Sequence, residues 1–407
     1  MNINYKSVVK KNPQADEYLW MLAGGDMQIL TAKIAKKNNY KLLVTDKNKN
    51  APCRHIADKF YDVDIVDIKK NYQIIKKLNF SISGVFTIAS DCHLTVNKIA
   101  KRLNLHHTPI KISEICKNKI KTRKFLKNFF TQPKSFLIKN YSQYKKKVKE
   151  LNCAYVIKHL NLSGSKGFRS FDKNFIMSNS FFNQIKNEIK KSQGILLEEK
   201  LQKNKYVKFS EMSVESVWQD GKIIYFNSVD RIFKRDLSVL TSLKSKLFDN
   251  VKDGYEIGHI NPSAISKKKE LEIKKLLRKL GFRLGYDRLI GCHILKLDIF
   301  FSNKGPIILE MTPRFSGGYD STGSSFKRGL KLSEAMFKIC KGEKFNKADL
   351  SYYFKANKLK VLVLSRYLSG KRLFYLNAPH ANNKRNFNKI FNKIKKNLTI
   401  KNEQIRY

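Results

Sequence analysis

Cysteine, acidic side chains and long apolar runs are all scarce in this chain, and each shortage closes a class of function. The six cysteines, Cys53, Cys92, Cys116, Cys153, Cys292 and Cys340, are scattered without a C-x-x-C pair. Most stand beside apolar residues, so they read as small buried side chains in a reducing compartment. No apolar run is long enough to span a bilayer. The first residues, MNINYKSVVKKNPQ, lack the apolar core of a signal peptide. A cytoplasmic protein without a membrane partner is the expectation. The run GGDMQ places Asp26 and Gln28 where a G-x-G-x-x-G dinucleotide fingerprint needs glycine or freedom. No G-K-[ST] opens a helix, so there is no Walker A loop, and no Ser-His-Asp or Cys-His arrangement stands out.

Acidic residues number 33 against 82 Lys and Arg, a formal net charge of +49. Lysine is spread through almost every segment, and Asn, Ile, Phe and Tyr are abundant too, the signature of A/T-rich codons. A nucleic-acid-binding protein more often gathers Arg and aromatic residues on one surface. The expectation is weak, salt-sensitive polyanion binding and no specific nucleic-acid partner. The basic field would recruit anionic substrates.

With 407 residues the chain has room for two or three domains. Tyr18–Leu22 reads as a strand, followed by Gly24 and Gly25. A helix then has Ile29, Leu30, Ile34 and Ala35 on one face, and Lys41–Thr45 is a second strand. That is a βαβ unit on a parallel sheet. Gly84–Ala89 reads as another buried strand, and Asp91 is expected to N-cap the helix after it. His106 and His107 fall in a linker. Further on, Lys269–Leu280 is a packing helix with Gly281 as its stop, and Leu332–Lys341 is another helix. Strands at Leu359–Ser365 and Leu373–Leu376 suggest a small C-terminal sheet before a basic tail.

The densest stretch is ILKLDIFFSNKGPIILEMTPRFSGG, Ile294 to Gly318. It reads as two strands around a three-residue loop, Asn303, Lys304 and Gly305. Asp298 then lies opposite Glu310 and Lys296 opposite Thr312, while Leu297, Ile299, Leu309 and Met311 share the other face. Opposed carboxylates repel, and a cation between them turns the repulsion into a site. Mg²⁺ suits one or two carboxylates plus substrate phosphates, and Arg314 follows on the same face as a partner for phosphate or oxyanion. An edge hairpin with a solvated polar face has the same pattern.

Three further segments belong with the hairpin: Lys119 in NKIKTRKFL; the strand Tyr155–Lys158 followed by Leu162, Ser163, Gly164, Ser165, Lys166 and Gly167; and the strand GILLEEKL from Gly194 to Leu201. In this order, and with Glu310, Met311, Thr312, Pro313 and Arg314 standing where an E-x-N-x-R run is usual, the chain resembles the ATP-grasp enzymes from about Leu19 to Lys344. It looks closest to the carboxylate–amine ligases and to the purine-pathway and biotin-carboxylase branch. Thr312 replaces the usual Asn.

The resemblance implies an α/β and α+β architecture. A Rossmann-like pre-ATP-grasp domain (1–107) precedes a two-lobed ATP-grasp domain (108–345, nucleotide lobe about 108–200, metal lobe about 201–345) and a small C-terminal part (346–407). ATP with Mg²⁺ or Mn²⁺ would be used, on small-molecule carboxylate and amine substrates, and a homodimer is an allowed assembly. Lys119 and Lys158 would meet the phosphates, and Ser163, Gly164, Ser165 and Gly167 would close over them. Glu199 and Leu201 would read the adenine edge through their backbone, with Glu198 beside it. Glu211 would meet the ribose, with Glu215 as runner-up. Asp298, Glu310 and Thr312 would hold the metal, and Arg314 and Lys158 would serve the chemistry. Arg231 would approach a substrate anion. The glycine turn and the end of the second strand would face the acceptor. An ATP-binding protein without ligase activity and a basic nucleic-acid-binding protein are the alternatives.

Overall fold

The computed structural model describes residues 17–161, 167–188, 194–236, 251, 254–317, 320–368 and 371–377. Ser163, Gly164 and Ser165 lie outside the described residues, as does the tail.

The chain begins with β1 (Glu17–Leu22), α1 (Ile29–Lys37), β2 (Lys41–Thr45), β3 (Lys59–Tyr61), α2 (Ile68–Ile75), β4 (Ser81–Phe86) and α3 (His93–Arg102). The four strands form a parallel sheet in the order β3-β2-β1-β4. Five of the six residues of β1 are buried in one run, as a strand covered on both faces requires. One face packs under α2 and α3. The other packs under α1 and a helix from far along the chain, Leu332–Cys340, whose Phe337 sits edge-on to Phe86. Gly84 lies against that helix, and a Cβ there would meet the Cys340 Sγ at 2.5 Å. Asp91 does not cap α3: Cys92 holds the cap position without a side-chain bond, and the Asp91 carboxylate is committed to Arg314.

After α4 (Ile110–Lys117), Asn118 accepts hydrogen bonds from the Ile120 and Lys121 amides and starts α5 (Lys119–Lys127). This cap fixes Lys119 at the first helical position. Strands β5 (Ser135–Ile138), β6 (Tyr155–His159), β7 (Arg169–Phe171) and β8 (Ile195–Glu199) then make an antiparallel sheet in the order β5-β8-β6-β7.

A second antiparallel sheet contains β9 (Glu211–Gln219), β10 (Lys222–Phe233), β11 (Glu256–Asn261), β12 (Cys292–Ser302), β13 (Gly305–Thr312), β14 (Val361–Leu368) and β15 (Lys371–Asn377). Its order is β13-β12-β9-β10-β11-β14-β15. The two C-terminal strands therefore extend the large sheet through β11 and do not stand as a small sheet of their own. The helix Lys267–Leu284 covers the apolar face, packing Ile273, Leu277 and Leu280 against Val214, Leu297 and Met311. Gly281 lies inside this helix because a Cβ there would strike the Trp218 ring at 2.2 Å; Gly285, at φ 87°, is the stop. Alternation leaves Glu211, Ser213 and Glu215 of β9, Lys296 and Asp298 of β12, and Glu310 and Thr312 of β13 on the opposite face.

All six cysteines are free, and all but the half-buried Cys153 are buried. Among the described residues no helix is long and apolar enough to cross a membrane.

Candidate active site

The hairpin β12–β13 pairs Asp298 with Glu310 and Lys296 with Thr312. Its turn is shorter than expected. Ser302 pairs with Gly305, so only Asn303 and Lys304 lie in the loop. The register then shifts between Asp298 and Ile299, which pairs with Ile308. Leu309 is the extra residue of this bulge, and it turns toward the cleft instead of joining the apolar face.

The cleft between the two antiparallel sheets has a volume of about 400 Å³, within the span of ligand pockets, roughly 300–1,000 Å³. Lys119, Lys158, Glu198, Glu199 and Leu201 line it on one side, and Glu211, Asp298 and Glu310 on the other. The side chains of Val156, Phe168, Phe300 and Leu309 give it an apolar part. With Arg231, nine of the expected site residues thus share one cavity. Thr312 lies one step along the polar face from Glu310, and Gly167 adjoins Phe168 at φ 72°, where a Cβ would enter the His159 ring.

Each charged group has an identifiable neighbour. Lys158 Nζ lies 2.6 Å from one Glu198 oxygen, and Arg123 Nε binds the other. Burial alone would raise the Glu198 pKa; Arg123 and Lys158 outweigh it and take the carboxyl from 4.5 to about 2. Burial depresses the Lys119 ammonium, which Glu310 partly restores. Asp298 Oδ2 receives Lys296 Nζ at 2.5 Å and Arg231 Nη1 at 3.2 Å. Burial opposes the charge of Arg231, but Asp298, Glu256 and Glu211 together raise its pKa. Glu211 also binds Arg235 at 2.5 Å. Glu215, the runner-up for a ribose contact, points elsewhere: it accepts the Ser316 amide at 2.7 Å and does not line the cleft.

A divalent metal fits the hairpin. Asp298 Oδ1 and Thr312 Oγ1 are buried and make no hydrogen bond, and Glu310 faces the same cleft. Among the described residues no three His, Cys, Asp or Glu side chains form a closed cage. Substrate oxygens would have to complete the sphere, as Mg²⁺ beside phosphates allows.

Arg314 is placed differently from expectation. It does not line the cleft. Its guanidinium is buried between Asp91, reached at 3.1 Å from Nε, and the Phe315 carbonyl at 2.7 Å from Nη1. It joins the hairpin to the loop after β4, where Gly317 approaches Ala89 closely enough that a Cβ would lie 2.9 Å from the Ala89 oxygen. The glycine turn of the first sheet is tied to the end of β2 by the Gly24 amide, which donates to Asp46 at 2.8 Å.

Arg123 and Arg235 are partners that the sequence reading did not single out, and Lys296, read only as opposite Thr312, pairs with Asp298 as well. Arg123 carried a usable signal, since it stands four residues after Lys119 and so shares its helix face.

No protein-family model and no curated protein sequence matches the chain. Solved structures do. An L-amino acid ligase from Bacillus licheniformis superposes with a TM-score of 0.68, covering 94% of this chain and 98% of its own at 14% identity. N5-carboxyaminoimidazole synthetase from Staphylococcus aureus gives a TM-score of 0.64 over the same shares, also at 14% identity, and has been solved with ADP. Phosphoribosylglycinamide synthetase from Anaerococcus prevotii gives 0.61, covering 88% of this chain and 82% of its own at 17% identity. At these identities the likeness is one of fold. The chain has the ATP-grasp fold, an α/β parallel sheet followed by antiparallel sheets.

Proposed function

We propose that this protein is an ATP- and Mg²⁺-dependent ligase that activates a carboxylate as an acyl phosphate for attack by an amine or another nucleophile. One observation carries the reading: a single cleft sets Lys119 and Lys158 across from the opposed carboxylates Asp298 and Glu310. The strand end Glu199–Leu201 offers backbone groups to a purine edge, and the apolar side chains beside it suit the base. Glu211, which lines the same cleft, would meet the ribose hydroxyls. Lys119 and Lys158 neutralise phosphate oxygens, and Asp298, Glu310 and Thr312 hold the metal. Bound Mg²⁺ would screen charge on the β- and γ-phosphates.

A substrate carboxylate oxygen attacks the γ-phosphorus, the bond to the bridging oxygen breaks, and ADP leaves. The amine lone pair then attacks the acyl carbon, inorganic phosphate departs, and the amine gives up a proton. None of this needs a covalent nucleophile on the protein; alignment and charge placement supply the catalysis. The acceptor would enter beyond Thr312, toward Arg314 and the first sheet. ATP-dependent ADP release, screened over pairs of small carboxylates and amines, tests the proposal.

A second reading, nucleotide binding without ligation, is favoured by one observation: Arg314 is committed to Asp91 and stays out of the cleft. Saturable Mg²⁺-dependent ATP binding without ADP release from any pair would select it. Tight oligonucleotide binding at ~0.2 M salt with no ATP binding would overturn both.

A further inference from the structure

We infer that Arg123 is a positioning residue that holds the metal-bearing hairpin in register by tying its bulge to the strand beside the purine. With a two-residue turn, an unbroken ladder from Ser302–Gly305 would bring Asp298 opposite Leu309 and send Glu310 to the apolar face. The single extra residue, Leu309, brings Glu310 back opposite Asp298. The opposed carboxylates therefore depend on the bulge persisting.

Arg123 grips that bulge. Its Nη1 donates to the carbonyls of Ile308, at 3.2 Å, and Leu309, at 3.1 Å, and also meets Gln132 Oε1 at 3.2 Å. Nε and Nη2 of the same guanidinium engage the two oxygens of Glu198, the second at 3.4 Å. Arg123 is 6% exposed and Glu198 is 1% exposed, so neither end of the tether is diluted by water. Glu198 in turn holds Lys158. One planar guanidinium thus connects α5, β8 and β13, and a lysine has no fork with which to span the two sets of acceptors. Backbone carbonyls freed at a bulge need a donor, and here that donor is shared with the nucleotide side of the cleft.

The consequence for metal affinity rests on the proposed nucleotide–metal reading; the consequence for the hairpin does not. The experiment uses the full chain, wild type and Arg123→Lys, with Arg123→Ala as the second variant. Amide exchange across 305–312 is measured without ligand, and Mn²⁺ binding to the ADP-saturated protein is followed by electron paramagnetic resonance. Arg123→Lys should speed exchange in that strand while leaving β1 and β2 unchanged. It should weaken Mn²⁺ about tenfold or more, and metal-free ADP by a clearly smaller factor, because a lysine can still pair with Glu198 but cannot also reach the bulge carbonyls. Guanidinium, but not ammonium, should restore Mn²⁺ binding to Arg123→Ala. Unchanged exchange in 305–312 would overturn the inference, as would equal losses of ADP and Mn²⁺ affinity. A wild-type protein that binds neither ADP nor Mn²⁺ would sink the ligase reading and leave the exchange result to decide the role of Arg123.

Discussion

Replacing Glu198 with Gln removes the charge that two cations share on strand β8 of the sheet β5-β8-β6-β7. The carboxylate is 1% exposed and is bound by Arg123 and by Lys158 at 2.6 Å. Burial works against its ionisation, yet the two cations take its pKa from 4.5 to about 2. That difference corresponds to about 3 kcal/mol of native-state preference for the charged form, close to the loss of roughly 3–5 kcal/mol seen when one member of a buried pair is removed. The sign follows from linkage. A carboxyl depressed in the folded state stabilises it fully above its unfolded pKa, and that stability drains as pH falls toward the folded value. Urea unfolding followed by circular dichroism should therefore show the variant about 3 kcal/mol less stable near neutral pH. The gap should close as the solution is taken from 4.5 toward 2. A gap below ~1 kcal/mol near neutrality, or one that ignores pH, would refute the reasoning.

Three further outcomes are expected. Glu310→Gln and Asp298→Asn should each lower ADP production by about a hundredfold or more, on the order of 3 kcal/mol, with unchanged circular dichroism; full activity in both would dismiss the hairpin as a metal site. Gly167→Ala introduces a Cβ at φ 72° and 1.9 Å from the His159 ring, a left-handed strain of about 1–2 kcal/mol, and should weaken ATP roughly tenfold in calorimetry. His93 is buried, which takes its pKa from 6.5 to about 4. It favours the folded state while neutral, so wild-type stability should drop as pH falls through that window, by on the order of 3 kcal/mol; His93→Gln should flatten the drop in urea titrations at several pH values.

Much of this architecture was legible because its signals are local. The strand Lys41–Thr45 and the opposed pair Asp298–Glu310 follow from alternation and turn residues, whereas the cleft positions of Lys119 and Lys158 rest on the family resemblance alone. What was missed depends on contacts between distant segments. Whether Asp91 caps α3 or binds Arg314, 223 residues away, is not decided by its neighbours in sequence. Gly281 looks like a helix stop until Trp218 is seen packed against it. The bulge at Leu309 was hidden because two errors cancelled: a three-residue loop without a bulge and a two-residue loop with one align Asp298 with Glu310 equally. The destination of β14 was unreadable because its partner, β11, lies about a hundred residues earlier.

The helix Leu332–Cys340, lying on the first sheet, bears on how this protein could be dissected or recombined. A fragment cut at the linker would carry all four parallel strands yet leave Phe86 and the apolar side of α1 uncovered, because their lid is encoded more than two hundred residues later. Thr31 and Ser333, 2.8 Å apart, mark the same seam. Order along the chain is therefore a poor guide to where a graft can be joined. A chimera that borrows its first module from a relative would have to borrow this helix with it, along with a matched partner for Arg314.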